Sequence, residues 1–537
     1  MDTSIGRETN IHSIRALDEQ IKEGKGDGIK LKRARNSLLN ISTRVPPEIL
    51  GHIFAWSLVR EVDRSPYSQS HAHFGGLQKG SYNFLFVCHH WFEVASHTPE
   101  LWSFWGNTLQ DWKRHHHRSE TTPLDLVLDG YKFGPGVFDG SLQDAVRSRV
   151  ARGTIRQVHL RSDDTGTLTS IISSLIPDDE GAQNENIESI VWRCKGFRPV
   201  DASNFFARSH LSKLRSLVLS RNFQISSWDR LASRTTLLTT LSLEFVGLQL
   251  SPTITTSQLL SILTSNPNLQ HLDLLDLSHT DDTNGLTFKV PLRDLKDLSL
   301  GWGFHRLFGL LRQLVLPATL DIMHLAVFGS TLEEISQILG PYIRDYFQRG
   351  PGFQDRLEVM SSSSSPDSFS FSVGVVCTQT AALEPKPPWV MFTVELANQP
   401  PPDVLQQSFT NLIASIPVQR VTSYNVDPQL KPPEELFVMM PNIKTLRFSG
   451  MELFKGFLQP NPDGPYANTK LLPSLRLLCL ENVTLNDGGW GHLTTYLAHQ
   501  TSDSQIISLE MVGDSPYNIR PEVVNEITGL VQDFTYS

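Results

Sequence analysis

The residues best suited to metal binding in this sequence are histidines that stand side by side. Residues 115–117 are three consecutive histidines, and Cys88 is followed by His89 and His90. A tetrahedral zinc site needs ligands that converge, whereas consecutive residues of a helix point in different directions. Cys88 falls on an apolar helix face, where a thiol packs as a small hydrophobe. The sequence therefore predicts no metal site.

Two glycine-containing segments have part of a catalytic pattern and lack the rest. Residues 513–515 (Gly-Asp-Ser) have the small-residue turn of a hydrolase nucleophile, but no paired Asp and His follow them. Residues 301–304 (Gly-Trp-Gly-Phe) lack the third glycine of a dinucleotide-binding loop. The sequence contains neither a P-loop nor an HExxH segment. We therefore expect a protein that is not an enzyme and that uses no cofactor.

The charge balance argues against nucleic acid as the main ligand. The 537 residues include 47 Lys and Arg against 56 Asp and Glu, which gives a formal net charge of −9. Binding to a phosphate backbone needs a surplus of basic side chains arranged in a patch. The 39% of hydrophobic and 19% of charged residues are typical of a globular protein.

Cysteine usage and the lack of long apolar stretches predict where the protein works. The four cysteines, Cys88, Cys194, Cys377 and Cys479, are too scattered for a disulfide framework. No window reaches the roughly 18 apolar residues of a spanning helix. We expect a soluble protein of the cytoplasm, the nucleus or both, without membrane contact. The basic cluster at residues 30–35 is either a nuclear localisation signal or, more simply, a solvated helix face.

The chain begins with a helical or flexible segment, residues 1–40. Apolar residues recur at spacings of three and four between Ile11 and Ile21, as on one face of a helix. Three glycines between residues 24 and 28 interrupt this pattern, and each costs about 1 kcal/mol in a helix interior. We expect a short helix, a break and a second short helix.

Residues 41–118 predict a small helical domain. The Val-Pro-Pro-Glu segment at residues 45–48 is a helix start signal, because proline pre-sets φ and an acid favours the positive end of the helix dipole. A loop over residues 60–80 precedes a second helix over residues 81–96, and Thr-Pro-Glu at residues 98–100 starts a third. A unit of this size is marginal alone. Periodicity leaves open whether its apolar residues fill an internal core or contact a partner.

Three segments of this domain resemble, in order, an F-box. They are VPPEILGHIF, LFVCHHWFEVA and TPELWSF. The resemblance, which is to F-box proteins of the fungal type with leucine-rich repeats, implies docking on a Skp-type adaptor and through it on a cullin. It also implies that the chain is the substrate receptor of a ubiquitin ligase. The adaptor-facing residues implied by it are Pro46, Ile49, Leu50, Ile53, Phe54, Leu85, Cys88, Trp91, Leu101 and Trp102.

Two features depart from the F-box pattern. Val45 stands where the family prefers leucine, which is a mild loss of apolar volume. The loop over residues 60–80 is longer than a compact F-box needs, which affects the expected angle between the first two helices.

Residues 119–537 repeat a motif in which apolar residues occupy the first, fourth and sixth positions. The clear copies start at Leu214, Leu238, Leu269, Leu295 and Leu475, and weaker copies start at Ile155, Ile187, Leu320, Ile443 and Ile506. From 155 to 320 the starts are 24 to 32 residues apart. Periods of this length indicate a solenoid in which each strand turns its leucines inward.

The repeats resemble an irregular leucine-rich-repeat array. The predicted fold class is therefore α/β, with the three-helix F-box followed by a solenoid that has a parallel β-sheet on its concave face. Before Leu269 a helix capped by Ser257 is expected to return the chain. Ordinary α/β units with leucines at these spacings are the alternative.

The repeat signal fades between residues 326 and 442. The serine run at residues 361–365 is typical of a loop. Strand-like segments at residues 369–376, 389–396 and 418–423 keep the repeat spacing approximately. We therefore extend one solenoid through this region.

A protein target would contact the concave strand face, at the positions between the leucines. The candidates are Glu244, His271, Asp273, Asp297 and His324, with Trp302 and Phe304 as an aromatic cluster just beyond one strand. This face is mildly acidic over the middle repeats. A surface that is merely solvated is the simpler interpretation.

These patterns leave two main hypotheses for function. The first is a receptor that docks on the Skp-type adaptor through the F-box and holds an unknown protein substrate on the solenoid. The second is an adaptor-independent leucine-rich-repeat scaffold, in which the helical domain caps the first hydrophobic face of the solenoid. A hydrolase would require activity that depends on Ser515, and none is expected.

Overall fold

The computed structural model describes residues 5–23, 27–39, 45–62, 85, 87–105, 119, 122–129, 140–176, 184–194, 196, 198–221, 223–226, 228–244, 254–275, 279–280, 289–317, 320–328, 332–349, 357–365, 368–377, 389–395, 407, 410–426, 434–449, 472–482, 487–499, 506, 508–512 and 520–536. The chain divides into two compact units, residues 1–235 (unit 1) and residues 236–537 (unit 2). The predicted domain boundary after residue 118 lies within unit 1 and stays a prediction.

Unit 1 begins with two helices that pack on each other. They are α1 (Ile5–Lys22) and α2 (Gly28–Leu39). Asp18 of α1 and Arg35 of α2 form an ion pair between them. The predicted order of helix, break and second helix is confirmed.

The next part of unit 1, residues 45–105, is named the helical unit. It contains α3 (Pro47–Val62), α4 (His89–Ser96) and a 3-10 helix (Pro99–Trp102). The two proline start signals are confirmed, because one helix begins at Pro47 and another follows the N-cap residue Thr98. Residues 60–62 of the predicted loop over residues 60–80 belong to α3, and the rest of that loop lies outside the described residues.

Two predictions for the helical unit need correction. No single helix runs from residue 81 to 96, because Cys88 is extended (φ −161°, ψ 168°) and α4 begins after it. The third helix is one 3-10 turn, in which Ser103 Oγ donates a hydrogen bond of 2.7 Å to Glu100 O at its end. The chain then forms a short strand at residues 104–105.

The rest of unit 1 alternates strands and helices. Its strands are β1 (Phe104–Trp105), β2 (Leu124–Asp129), β3 (Ile155–Ser162), β4 (Ser189–Cys194), β5 (Val200–Asp201), β6 (Ser216–Ser220) and β7 (Phe223–Gln224). Its helices are α5 (Gly140–Ala151), α6 (Thr165–Ser174), α7 (Ser203–Arg208) and α8 (Trp228–Arg234). Strands β1, β2, β3, β4 and β6 pair in parallel in that order, and β5 pairs with β7.

The core between sheet and helices in unit 1 is rich in aromatic rings. Trp192 of β4 lies 5.0 Å from Phe205 and 5.6 Å from Phe206 of α7, measured between ring centroids. Phe223 lies 5.9 Å from the same ring. All four are buried, so the short helix α7 is held by side-chain packing.

Unit 2 continues the alternation of strands and helices. Its strands are β8 (Thr240–Glu244), β9 (Ile254–Thr255), β10 (His271–Leu275), β11 (His279–Thr280), β12 (Val290–Pro291), β13 (Asp297–Gly303), β14 (Leu314–Val315), β15 (Ile322–Phe328), β16 (Leu357–Ser365), β17 (Ser368–Cys377), β18 (Trp389–Glu395), β19 (Val421–Val426), β20 (Thr445–Ser449), β21 (Leu477–Glu481), β22 (Ser508–Val512) and β23 (Asp533–Tyr536). Its helices are α9 (Thr256–Ser265), α10 (Phe304–Gln313), α11 (Leu332–Arg349), α12 (Glu434–Met439), α13 (Asp487–His499) and α14 (Pro521–Leu530).

Most strands of unit 2 pair in parallel in chain order. This holds from β8 through β10 and β13 to β15, and again from β19 through β20, β21 and β22 to β23. The α/β class predicted from the sequence is confirmed. Parallel strands need long crossover connections, and several of these contain a helix, such as α9 between β8 and β10.

The strand order inverts between β15 and β19. Strand β18 pairs with β15, β17 is antiparallel to both β18 and β16, and β16 pairs with β19. One solenoid with approximately the same repeat spacing is expected from the sequence through residues 326–442, and the antiparallel strand β17 interrupts that repeat. The serine run at 361–365 belongs to β16 and is no loop. Only two residues separate β16 from β17 in the sequence, a length that joins antiparallel strands.

The ten copies of the apolar motif all turn inward, as the sequence predicts. In every copy the three apolar residues are buried, for example Leu269, Leu272 and Leu274 at 0–1% exposure. The first residue of several copies closes a turn, since its N–H donates to the carbonyl three residues earlier. The helix before Leu269 is capped by Thr255, and not by Ser257, because Thr255 and Gln258 form a capping box.

Candidate protein-binding surfaces

The helical unit has a closed core of its own. Its buried side chains are Leu50, Phe54, Val94, Ala95, Leu101 and Trp102. Trp102 Nε1 donates a hydrogen bond of 2.7 Å to Ala95 O, and the ring of Phe54 lies 5.0 Å from that of Trp91. Val45 packs at the edge of this core. Since burying a large apolar side chain contributes about 1.5–3 kcal/mol, these residues hold the unit together.

Four of the predicted adaptor-facing residues belong to that core. Leu50, Phe54, Leu101 and Trp102 are at most 3% exposed. That they face an adaptor stays a prediction; in this structure their side chains are buried in the core of the helical unit, where the 3-10 helix packs on α3.

The other predicted adaptor-facing residues lie at or near the surface. Pro46 is exposed, and Ile49 and Ile53 are each 51% exposed. Leu85, Cys88 and Trp91 are half-buried. Ile49 and Ile53 are four residues apart on α3, so their side chains are neighbours on one face of the helix.

Two further apolar residues of the helical unit are exposed. Val87 is 54% exposed and Phe92 is 42% exposed. With Ile49 and Ile53 they are named the exposed apolar set. The sequence alone did not single them out, because their exposure depends on α4 beginning only at His89. Large exposed apolar side chains concentrated in a small unit are typical of a binding surface.

The strand register of unit 2 brings most predicted target-binding residues together. His271 is aligned with Asp297, and its Nδ1 lies 2.6 Å from Asp297 Oδ2. On the same strands and their neighbours, Ser242 Oγ donates a 3.0 Å hydrogen bond to Asp273 Oδ2, and Ser299 Oγ lies 3.3 Å from His324 Nδ1. These contacts run across strands, and such pairs stabilise a sheet face while presenting polar atoms.

The face carrying these residues, on β8, β10, β13 and β15, is named the acidic face. Glu244, Asp273 and Asp297 supply its carboxylates, and burial lowers the pKa of His324, which keeps that imidazole neutral near pH 7. His271 and Asp297 retain 30% and 19% of their side-chain surface exposed. The acidic face can therefore accept hydrogen bonds from a partner.

Two predicted target-binding residues lie apart from these pairs. Trp302 is in β13 near its end, and Phe304 is the first residue of α10. Their side chains lie outside the described part of the chain.

Unit 1 has a second polar face, which the sequence did not single out. Arg156 holds Asp125 with two hydrogen bonds, of 2.9 Å from Nε and 2.6 Å from Nη2. His159 Nε2 lies 3.1 Å from Ser189 Oγ, and burial, aided by the charge of Arg193, lowers the pKa of His159 to about 4.

The signal for this face was present in the sequence. Arg161 and Arg193 each follow the third apolar residue of a weak motif copy, the copies that start at 155 and 187. The parallel register aligns the two arginines on neighbouring strands. Inspecting that position in every copy would have found them.

Among the described residues, no group of three or more His, Cys, Asp or Glu side chains is placed to hold a metal ion. The histidines at 115–117 and the Gly-Asp-Ser segment at 513–515 lie outside them. No described helix is long and apolar enough to cross a membrane.

No protein-family model matches the chain, and no curated protein is significantly similar to it.

Proposed function

We propose that this chain is the substrate-recognition subunit of an E3 ubiquitin ligase of the Skp, cullin and F-box type. In this proposal the helical unit is an F-box that docks on a Skp-type adaptor and through it on a cullin. The repeats of units 1 and 2 form a leucine-rich-repeat array that binds a protein target. The chain itself has no catalytic role.

The observation that carries the proposal is the exposed apolar set. The helical unit fills its core with its own residues and still leaves Ile49 and Ile53 half exposed on one face of α3. Exposed apolar side chains lower solubility and gain free energy when a partner covers them. The segments that resemble an F-box also include both isoleucines.

The repeated motif supports the second half of the proposal. Each copy buries its apolar residues, and on the acidic face positions between them, such as Asp273 and His324, are partly exposed. The inverted strands β16 to β18 depart from a regular leucine-rich repeat, so the array is an interrupted one.

The test is a pull-down of the adaptor and cullin by the full chain. We expect I49D/I53D to lose both proteins, because an aspartate at each position places a charge in an apolar contact. Val438→Asp is the matched control, since Val438 is also an exposed apolar residue of a helix (36%) but lies in unit 2.

Both variants should keep the circular dichroism spectrum and the melting temperature of the parent chain, because the substituted side chains are exposed. Recovery of the adaptor with I49D/I53D at the parent level would refute the proposal. Equal loss with V438D would show that any exposed charge reduces recovery.

The second candidate function is an adaptor-independent scaffold with the helical unit as N-terminal cap. The observation that favours it is the connection of this unit to the sheet. Strand β1 pairs with β2, and Asp125 N donates a hydrogen bond of 2.7 Å to Ser103 O. A cap of this kind covers the first strand of an array.

A further inference from the structure

The carboxyl ends of the strands in unit 1 carry a row of polar residues, two of which are arginines. Asp129, Arg161, Arg193 and Ser220 are aligned across β2, β3, β4 and β6 and are named the carboxyl-end row. Arg161 and Arg193 are half-buried immediate neighbours. Like charges directly opposite each other on neighbouring strands destabilise a sheet. Repulsion between two aligned arginines does not favour strand pairing, so strand pairing alone does not explain why both are arginine.

The positive charge extends beyond these two arginines. The charge of Arg193 is the second cause, after burial, of the low pKa of His159. Arg221 directly follows Ser220 with φ 65°, a left-handed backbone that is uncommon for a residue with a side chain. Arginines thus stand at the ends of three consecutive strands of the sheet.

Charge is distributed unevenly between the faces of the two units. The chain as a whole has a formal net charge of −9, and the acidic face of unit 2 carries Glu244, Asp273 and Asp297. The carboxyl-end row contains two arginines and one aspartate, so its formal charge is positive. Segregated charge selects a partner of opposite sign and speeds its association.

We propose that the carboxyl-end row binds an acidic peptide segment of a partner protein, with peptide carboxylates pairing with Arg161 and Arg193. A guanidinium has several N–H donors in a fixed fork, so it can bind a carboxylate in addition to its contacts within the chain. The Arg156 and Asp125 pair shows this two-point geometry between β3, which also carries Arg161, and β2.

The spacing also fits an extended peptide. Alternate side chains of an extended peptide are about 6.6 Å apart, and neighbouring strands are about 4.8 Å apart. Arginine side chains are long and flexible enough to bridge the difference between these two spacings. Nucleic acid fits less well, because tight binding to it takes roughly six or more phosphate contacts.

The test titrates the full chain with a fluorescein-labelled peptide of alternating Glu and Ser and with the matched Lys and Ser peptide. We expect the Glu peptide to bind and the Lys peptide not to bind. R161Q/R193Q should weaken binding about tenfold or more, because two charge-assisted contacts are lost. R208Q is the control, since Arg208 is exposed on α7, whose phenylalanines pack on the opposite face of the sheet. It should leave binding unchanged.

A third variant separates folding from recognition. R161K/R193K keeps both charges without the guanidinium fork, so it should bind with intermediate affinity. Unchanged binding by R161Q/R193Q would overturn the proposal, as would equal binding of the Lys peptide. Binding of a phosphoserine peptide without binding of the Glu peptide would also overturn it and would assign the row to phosphoryl groups. Because the assay contains no adaptor, its outcome is independent of the adaptor pull-down.

Discussion

Asn266 is a single buried amide that joins two successive repeats of unit 2. Its Oδ1 accepts a hydrogen bond of 2.9 Å from Leu238 N, and its Nδ2 donates one of 2.8 Å to Ile262 O. Removing the amide leaves a buried N–H and a buried carbonyl without this partner, and each such loss costs about 1–3 kcal/mol. We expect N266A to lower the free energy of unfolding by about 2–4 kcal/mol in urea denaturation.

Asn268 provides the matched control for this prediction. It is in the same turn, two residues further on, and it is exposed. N268A should change the free energy of unfolding by less than about 0.5 kcal/mol. Equal effects of the two substitutions would show that the buried amide is not what joins the repeats.

We expect the stability of unit 1 to depend on pH because of His159. Its pKa is lowered from 6.5 to about 4 in the folded chain, by burial and then by Arg193. Between these values the unfolded chain binds more protons than the folded chain, so the free energy of unfolding falls as the pH is lowered from 7 to 4. The loss from this one group is at most about 3 kcal/mol.

The measurement is urea denaturation at several pH values between 7 and 4. H159Q should have a flatter profile than the parent chain, because the group that takes up the proton on unfolding is gone. H210Q is the control, since His210 is exposed, and its profile should follow the parent. Parallel profiles for H159Q and the parent would contradict the assignment.

Two neighbouring residues of the helical unit show that the sequence did not predict which apolar side chains are exposed. Ile49 and Leu50 are adjacent and both apolar, but Ile49 is 51% exposed and Leu50 is 3% exposed. Periodicity places both on one broad stripe of α3. Which part of that stripe is covered depends on where the 3-10 helix packs, and this is a tertiary property.

At the scale of elements, Gly51 sets how closely two helices approach. A Cβ at Gly51 of α3 would lie 2.8 Å from Thr98 Oγ1 and 3.2 Å from Thr98 Cγ2. Thr98 is held in place, because its Oγ1 donates a hydrogen bond of 2.7 Å to Val94 O. We expect G51A to lower the free energy of unfolding by about 1–3 kcal/mol, as overpacking does.

Gly491 is the control for this substitution. It is also inside a helix, α13, but a Cβ there would meet nothing within 4 Å. G491A should therefore stabilise the chain by up to about 1 kcal/mol, the difference in helix propensity. Thermal unfolding of the two variants tests the pair, and a stabilising G51A would contradict the close approach.

The elements that the sequence predicted best are those with a repeated local signal. All ten motif copies are buried as predicted, because each depends only on apolar spacing within one strand and the residues just before it. The serine run at 361–365 was missed as a strand, because its composition is typical of a loop while its pairing partner β17 supplies the structure. The register that joins His271 to Asp297 also depends on neighbouring strands. It could be anticipated only in outline from the motif starts at Leu269 and Leu295.

At the scale of the whole molecule, the helical unit is a candidate docking module, and it also contributes the first strand, β1, of a sheet. Strand β1 at its end aligns Phe104 with Asp125 and Trp105 with Leu126. Docking on an adaptor uses the exposed apolar set, whereas capping uses β1. The two roles involve different residues, so they are separable by experiment.

Deleting residues 1–118 tests the capping role. The deletion removes β1 and uncovers the backbone edge of β2, and an unpaired edge strand promotes association between chains. We expect the shortened chain to form oligomers in size-exclusion chromatography with light scattering. Deleting only residues 1–39 removes α1 and α2 but keeps β1, and that chain should keep the oligomeric state of the parent. If the first deletion also kept it, the sheet would not need its cap, and the helical unit would be free to act as a docking module alone.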